Sequence, residues 1–391
     1  MEQGMNEGRE TVKALRKKYL RARKKKKGRM LDHLVEEHGY NRKYAARLMS
    51  GITQVDRGEE RRGSKPQYDG VCGPLKQIWQ WYDYICSSRL ASVIEEAVCR
   101  LEACGELRLD SETRRKLCSM SARTMDRMLA KDRKSLVLRS KARTRPGTLL
   151  KHLVTVKTFS EWKDAEPGFL QMDCVGHDGG NVRGDFNQTL DATDVVTTWT
   201  ETRAVKNKAQ VWVLAALKKL RTQFPFAWKG IHSDNGGEFI NAPLIGYCAE
   251  EKITFTRSRA GKKNDNAYVE QKNWSVVRRA VGYARYVDDE NLLNELYAVL
   301  RLYTNFFMPT AKCIEKTRRG SRVTRHYDTP RTPYQRVLDA PSVGKEEKLR
   351  LRATYATLNP VALKRELTRL QGRLLRRAAR RGAPLVLAEV A

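Results

Sequence analysis

The chain has 391 residues, with 76 lysines and arginines against 45 aspartates and glutamates, a net charge of +31, and 40% hydrophobic residues. It is too apolar to be wholly disordered, long enough for two or three domains, and basic enough to expect a polyanionic partner, nucleic acid first. No apolar run reaches the roughly 20 residues of a membrane span, and eight scattered cysteines without a C-x-x-C pair argue against disulfides and structural zinc and for a reducing, intracellular setting, which with a nucleic-acid partner would be cytoplasmic and nucleoid-associated.

The charge is uneven. Between Pro167 and Tyr283 stand 16 basic and 12 acidic residues, which leaves +27 in the flanks, chiefly in Lys13 to Arg29 and Lys364 to Arg381. Composition and periodicity predict five regions. Residues 1–60 form a basic arm with a first helix-turn-helix, and 61–135 a second helical or helix-turn-helix domain. Residues 136–165 form a linker, 166–310 an α/β module, and 311–391 a basic helical C-terminal region. In the first region Leu31, Leu34 and Val35 share a helical face, Gly39 ends that helix and Asn41 caps the next. Tyr44, Ala45 and Leu48 then turn inward, while Arg42, Lys43 and Arg47 face a DNA groove. In the second, a helix over Ser111 to Leu117 is followed by Ser121 as cap and by Arg123 to Ala130, which presents Arg123 and Arg127. Trp79, Trp81, Tyr82 and Tyr84, between the two pairs, read as core on a helix.

From Gly168 the period changes to that of strands. Leu170, Met172 and Cys174 fall on one face and Asp173 on the other. Gln188 to Thr193 and Thr198 to Val205 are rich in Thr, Val and Trp. A helix over Lys208 to Leu220, a strand over Trp228 to Ser233, a helix from about Ala242, a strand over Ile253 to Thr256 and a long helix from about Asn264 to Tyr283 complete the series. This order predicts a mixed five-stranded sheet with helices on both faces, the arrangement of ribonuclease H-like domains.

Three acids stand out by position. Asp173 sits inside a strand, where aspartate is disfavoured. Asp234 ends a strand and leads into Asn235-Gly236-Gly237, and Glu270 lies on the last helix. Acids from three elements meeting at one sheet edge would repel each other unless divalent cations neutralised them, and Mg²⁺, which takes hard oxygen ligands and phosphate oxygens, suits the purpose. The segments Gln171-Met-Asp173, His232-Ser-Asp-Asn-Gly-Gly-Glu-Phe239 and Asn264-Asp-Asn-Ala-Tyr-Val-Glu-Gln-Lys-Asn273 resemble the three signatures of the integrase catalytic core. That core occurs in retroviral integrases and bacterial insertion-sequence transposases, and the 35 residues between Asp234 and Glu270 match the spacing of this Asp-Asp-Glu family.

The resemblance implies a DNA transposase that cleaves the ends of an insertion sequence and transfers them to a target strand. Asp173 would bridge two Mg²⁺ ions, with Mn²⁺ as a substitute, and Asp234 and Glu270 would each hold one. Double-stranded DNA and a homo-oligomer assembled on it are the implied partners, with no membrane. Lys262, Lys263, Lys272, Arg278 and Arg279 are expected to lay the DNA backbone across the acids. An RNA–DNA hybrid nuclease and a non-catalytic DNA-binding regulator are the alternatives.

Overall fold

The computed structural model describes residues 12, 14–51, 67–133, 155–156, 166–259 and 263–381. The chain divides into two compact units, Met1–Gln67 and Tyr68–Ala391. In the first, helices α1 (residues 14–21), α2 (Lys24–His38) and α3 (Arg42–Ser50) enclose Val12, Tyr19, Leu31, Leu34, Ala45, Leu48 and Met49. Gly39 ends α2 at φ 64°, a left-handed conformation that glycine adopts without strain. The Asn41 side chain caps α3 by accepting from the Lys43 N–H at 3.0 Å. Tyr44, expected inside, is exposed, because the three-residue step from Ala45 to Leu48 sets the buried stripe and Tyr44 falls beside it.

The second unit begins with four helices, α4 (Cys72–Trp81), α5 (Ser87–Ala103), α6 (Ser111–Cys118) and α7 (Ala122–Arg133). Trp79 and Tyr82 are buried, with the Trp79 indole donating to the Ile85 carbonyl at 2.8 Å. Only Trp79 and Trp81 are helical, since Asp83 and Tyr84 turn the chain at positive φ. Asp110 and Ser121 supply side-chain caps at the starts of α6 and α7.

The sheet follows. Strands β1 (Thr155–Val156), β2 (Phe169–Gly176), β3 (Gln188–Asp194), β4 (Thr200–Val205), β5 (Gly230–Ser233) and β6 (Thr254–Arg257) lie in the order β1-β6-β5-β2-β3-β4. β2, β3 and β4 form an antiparallel meander; β5 and β6 run parallel to β2, and β1 runs parallel to β6. The five expected strands fit a ribonuclease H-like core, and β1 adds a short edge strand within the stretch read as a linker. Leu170, Met172, Leu190, Ala192 and Ile231 point to one face, where α8 (Gln210–Arg221) and α9 (Ala242–Glu250) pack. The opposite face, bearing Asp173, Asp191 and Thr189, is covered by α10 (Ala267–Lys272) and α12 (Glu290–Phe307).

Two regions depart from expectation. The helix expected from Asn264 to Tyr283 is composite: a 3₁₀ turn (Lys263–Asn266), α10, a π-helical turn (Asn273–Arg278) and α11 (Arg279–Val281). The C-terminal region is not purely helical. A hairpin of β7 (Cys313–Arg319) and β8 (Arg322–Tyr327) precedes α13 (Pro333–Asp339), α14 (Lys345–Thr357) and α15 (Pro360–Arg380). α15 lays Leu367, Leu370, Leu374 and Ala378 on α12. Arg100 of α5 donates to the Ala356 and Leu358 carbonyls, so segments at either end of the unit pack together.

Candidate active site

β2 carries Asp173 in register with Asp191 on β3, while Met172 pairs with Ser233, the last residue of β5. Asp234 follows directly, so two carboxylates reach the same sheet face from adjacent parallel strands. Burial, and then the charge of Asp234, push the Asp173 carboxyl up to about 7. Its oxygens are nonetheless held: Oδ1 accepts from the Cys174 N–H at 2.8 Å and Oδ2 from the Asn273 amide at 2.6 Å. Asp234 Oδ1 accepts from the Gly236 N–H at 2.9 Å. Glu238, past the glycines, is ion-paired to Lys208 at 2.8 Å.

Gly236 does not have positive φ, so its need for glycine is one of space. A Cβ there would lie 2.5 Å from Glu238 Oε2 and 3.0 Å from Asp234 Oδ1. The turn thus brings backbone close to the protein's own acids, whereas Gly237 has open space around it. Neighbouring motif residues brace the loop. His232, fully buried, bonds Thr256 and Ser258, and the Asn235 amide donates to the Ser258 carbonyl at 2.9 Å.

The third acid arrives on a clamped helix. Gln171, fully buried, accepts from the Tyr268 and Val269 N–H groups at 2.8 and 3.3 Å and donates to the Asp265 carbonyl at 3.0 Å. These are N-terminal N–H groups of α10, which have no partner within the helix itself. The Asn266 amide adds a bond to the Met172 carbonyl at 3.2 Å. Three residues before Asn273, and so on the same side of the turn, stands Glu270, exposed. Asp173 and Asp234 therefore meet, with the Glu270 helix tied to the same edge. Among the described residues no group of three His, Cys, Asp or Glu side chains is arranged to hold a metal ion. The hard carboxylate oxygens of Asp173 and Asp234, two like charges at close quarters, fit a divalent cation in their donor chemistry.

Several basic residues expected on the DNA have other tasks. Lys272 is 4% exposed and faces inward, because it falls three residues after buried Val269 and four before buried Val276. Burial lowers its pKa to about 8 against the pull of Asp191. Arg278 donates to the Gly176 and Gly282 carbonyls at 2.7 and 3.3 Å and stacks on Tyr283. Arg279 is paired with Asp83 at 2.5 Å. Lys262 lies outside the described residues, as does the side chain of Lys263. Lys43, Arg47, Arg123 and Arg127 are exposed, whereas Arg42 is ion-paired to Asp32. Of the C-terminal run, Lys364, Arg365, Arg369, Arg373, Arg377 and Arg381 all pair with acids of this chain. By contrast Lys18, Arg21, Arg23, Lys25, Lys26 and Arg29 line one groove of about 920 Å³ on the first unit.

Gln171, Asn266, Asn273 and Lys208 escaped the sequence reading as site residues. A strand glutamine two residues before Asp173, and two asparagines flanking Glu270, were the available signals. No family model matches the chain. Among solved structures it is similar to the HTLV-2 integrase catalytic core domain in complex with magnesium (dimeric form), at 12% identity over 37% of this chain and 91% of that one, with a TM-score of 0.29. Among curated proteins it is 39% identical over 336 residues to the uncharacterized protein y4rM of Sinorhizobium fredii (strain NBRC 101917 / NGR234), a match spanning 84% of this chain and 94% of y4rM. An alignment of that identity, running nearly end to end, places the chain in the protein family of y4rM.

Proposed function

We propose that the chain is a DNA transposase of the Asp-Asp-Glu type, a polynucleotidyl transferase whose site is Asp173, Asp234 and Glu270. The observation that carries the reading is the meeting of Asp173 and Asp234 on adjacent parallel strands, with the Glu270 helix clamped to the same edge through Gln171, Asn266 and Asn273. All three side chains would serve as oxygen donors to Mg²⁺, or to Mn²⁺ in its place. When bound, the metal supplies Lewis acidity toward phosphoryl oxygens. The chain's own part is to hold the carboxylates in place, with Asn273 orienting Asp173 and the Gly236 N–H orienting Asp234. Lys208, beside Glu238, offers a cation at the rim of the site. The groove on the first unit and the exposed Lys43 and Arg47 suit duplex DNA, which is bound largely through its phosphates.

The test is strand transfer on paired-end DNA substrates with Mg²⁺. Asp234→Asn should abolish transfer, by at least about 1000-fold, while DNA affinity stays within about twofold. Wild-type-like transfer by that variant overturns the site. Cleavage confined to RNA–DNA hybrids would reassign the substrate, and duplex binding with no metal-dependent cleavage by the wild type would leave a regulator.

A further inference from the structure

Lys272 lies two residues past Glu270 on α10, but its side chain lines a separate cavity of about 110 Å³. Around it stand Arg89 of α5, Asp83 of the turn before α5, Ser275 of the π-helical turn, Arg279 of α11, Thr304 of α12 and Lys364 of α15. The volume corresponds to about three or four waters, enough for one small oxyanion. Four cations face a single acid. Asp83 is shared between Arg279 and Lys364, at 2.5 and 2.7 Å. That leaves Lys272 and Arg89 with no hydrogen bond or ion pair from their charged groups among the described residues, although Lys272 is only 4% exposed. Asp191 attracts Lys272 but does not line the cavity.

A buried ammonium with no hydrogen-bond acceptor is costly, and Lys272 together with half-exposed Arg89 on one small space calls for an anion to fill it. The Ser275 and Thr304 hydroxyls add neutral donors suited to a tetrahedral oxyanion. Arg89 brings the planar fork that matches phosphate oxygens.

We propose that this cavity is a receptor for a phosphate group, distinct from the acid site. Its source as a DNA backbone phosphate rests on the transposase reading; free inorganic phosphate is the other source. The test uses the full chain in EDTA. Inorganic phosphate is titrated at constant ionic strength while the thermal unfolding midpoint is followed, with chloride as the control. The wild type should show a saturable rise, and Arg89→Gln and Lys272→Met should weaken the apparent affinity at least tenfold. Should Lys272→Met fold poorly, Arg89→Gln, half-exposed on α5, carries the comparison alone.

The affinity for a short DNA duplex is then measured across salt concentrations. A slope of log affinity against log salt reduced by about 0.9 in Arg89→Gln identifies the occupant as one DNA phosphate. An unchanged slope, with phosphate binding present in the wild type and lost in the variant, assigns the receptor to the free anion. No saturable phosphate effect together with an unchanged slope overturns the proposal. Neither readout involves cleavage or a divalent ion, so failure of the transposase reading would register separately from failure of this one.

Discussion

Asp173 shows how much one side chain can reveal. It is an acid placed inside a strand, and burial, followed by the charge of Asp234, raises its pKa to about 7. A carboxyl whose pKa is higher folded than unfolded holds more protons in the folded state. Its contribution to stability is therefore full below about pH 4, falls as pH rises, and is lost above about 7. In EDTA, Asp173→Asn should remove that part of the slope, so that the variant gains on the wild type between pH 4 and 7. Denaturant unfolding at a series of pH values checks this, and parallel profiles would refute it. The position of Asp173 was legible because charge in a strand interior needs a reason. Its support was not legible. Gln171 and Asn273 lie about a hundred residues apart along the chain, and nothing local announces that both serve the edge of β2.

At the level of elements, the succession of strands and helices from β2 to β6 followed from periodicity, since period-two runs and 3.6-residue stripes differ strongly, whereas β1 and the β7–β8 hairpin were not expected. What escaped was the interior of the Glu270 helix. In the π-helical turn the Arg279 N–H reaches back five residues, to the Trp274 carbonyl, so the downstream side chains are rotated relative to a regular helix. Arg278 is thereby held on the Gly176 carbonyl and Arg279 on Asp83, away from any common face with Glu270. Lys272, ahead of that turn, obeyed the ordinary period, and its spacing from Val269 already marked it as inward. The Gly236 turn provides the test at this scale. Gly236→Ala should displace Glu238 and Asp234 and cost about 10- to 100-fold in strand transfer. The unfolding midpoint should move by no more than about 4 °C. A large loss of stability with unchanged turnover of the folded fraction would mean that the glycine serves folding alone.

Across the whole molecule, a net +31 read from composition does not say which cations are available. The first unit gathers six of them around one groove, whereas six of the cations on and just after α15 are matched by acids of this chain. Replacing Lys25, Lys26 and Arg29 together by Gln should lower the salt slope of DNA binding by about 3, at about 0.9 per phosphate contact. Replacing Arg365 and Arg373 by Gln should leave the slope unaltered. Equal effects of the two sets would show that the C-terminal cations also reach DNA. The leucines of α15 carry a different consequence. Leu367, Leu370 and Leu374 are already closed against α12, and freeing them for a neighbouring copy would sacrifice about 1.5–3 kcal/mol for each. A zipper fastened within its own garment is poor cloth for joining two, and under the proposed transposition any coupling of copies at paired DNA ends must use some other seam.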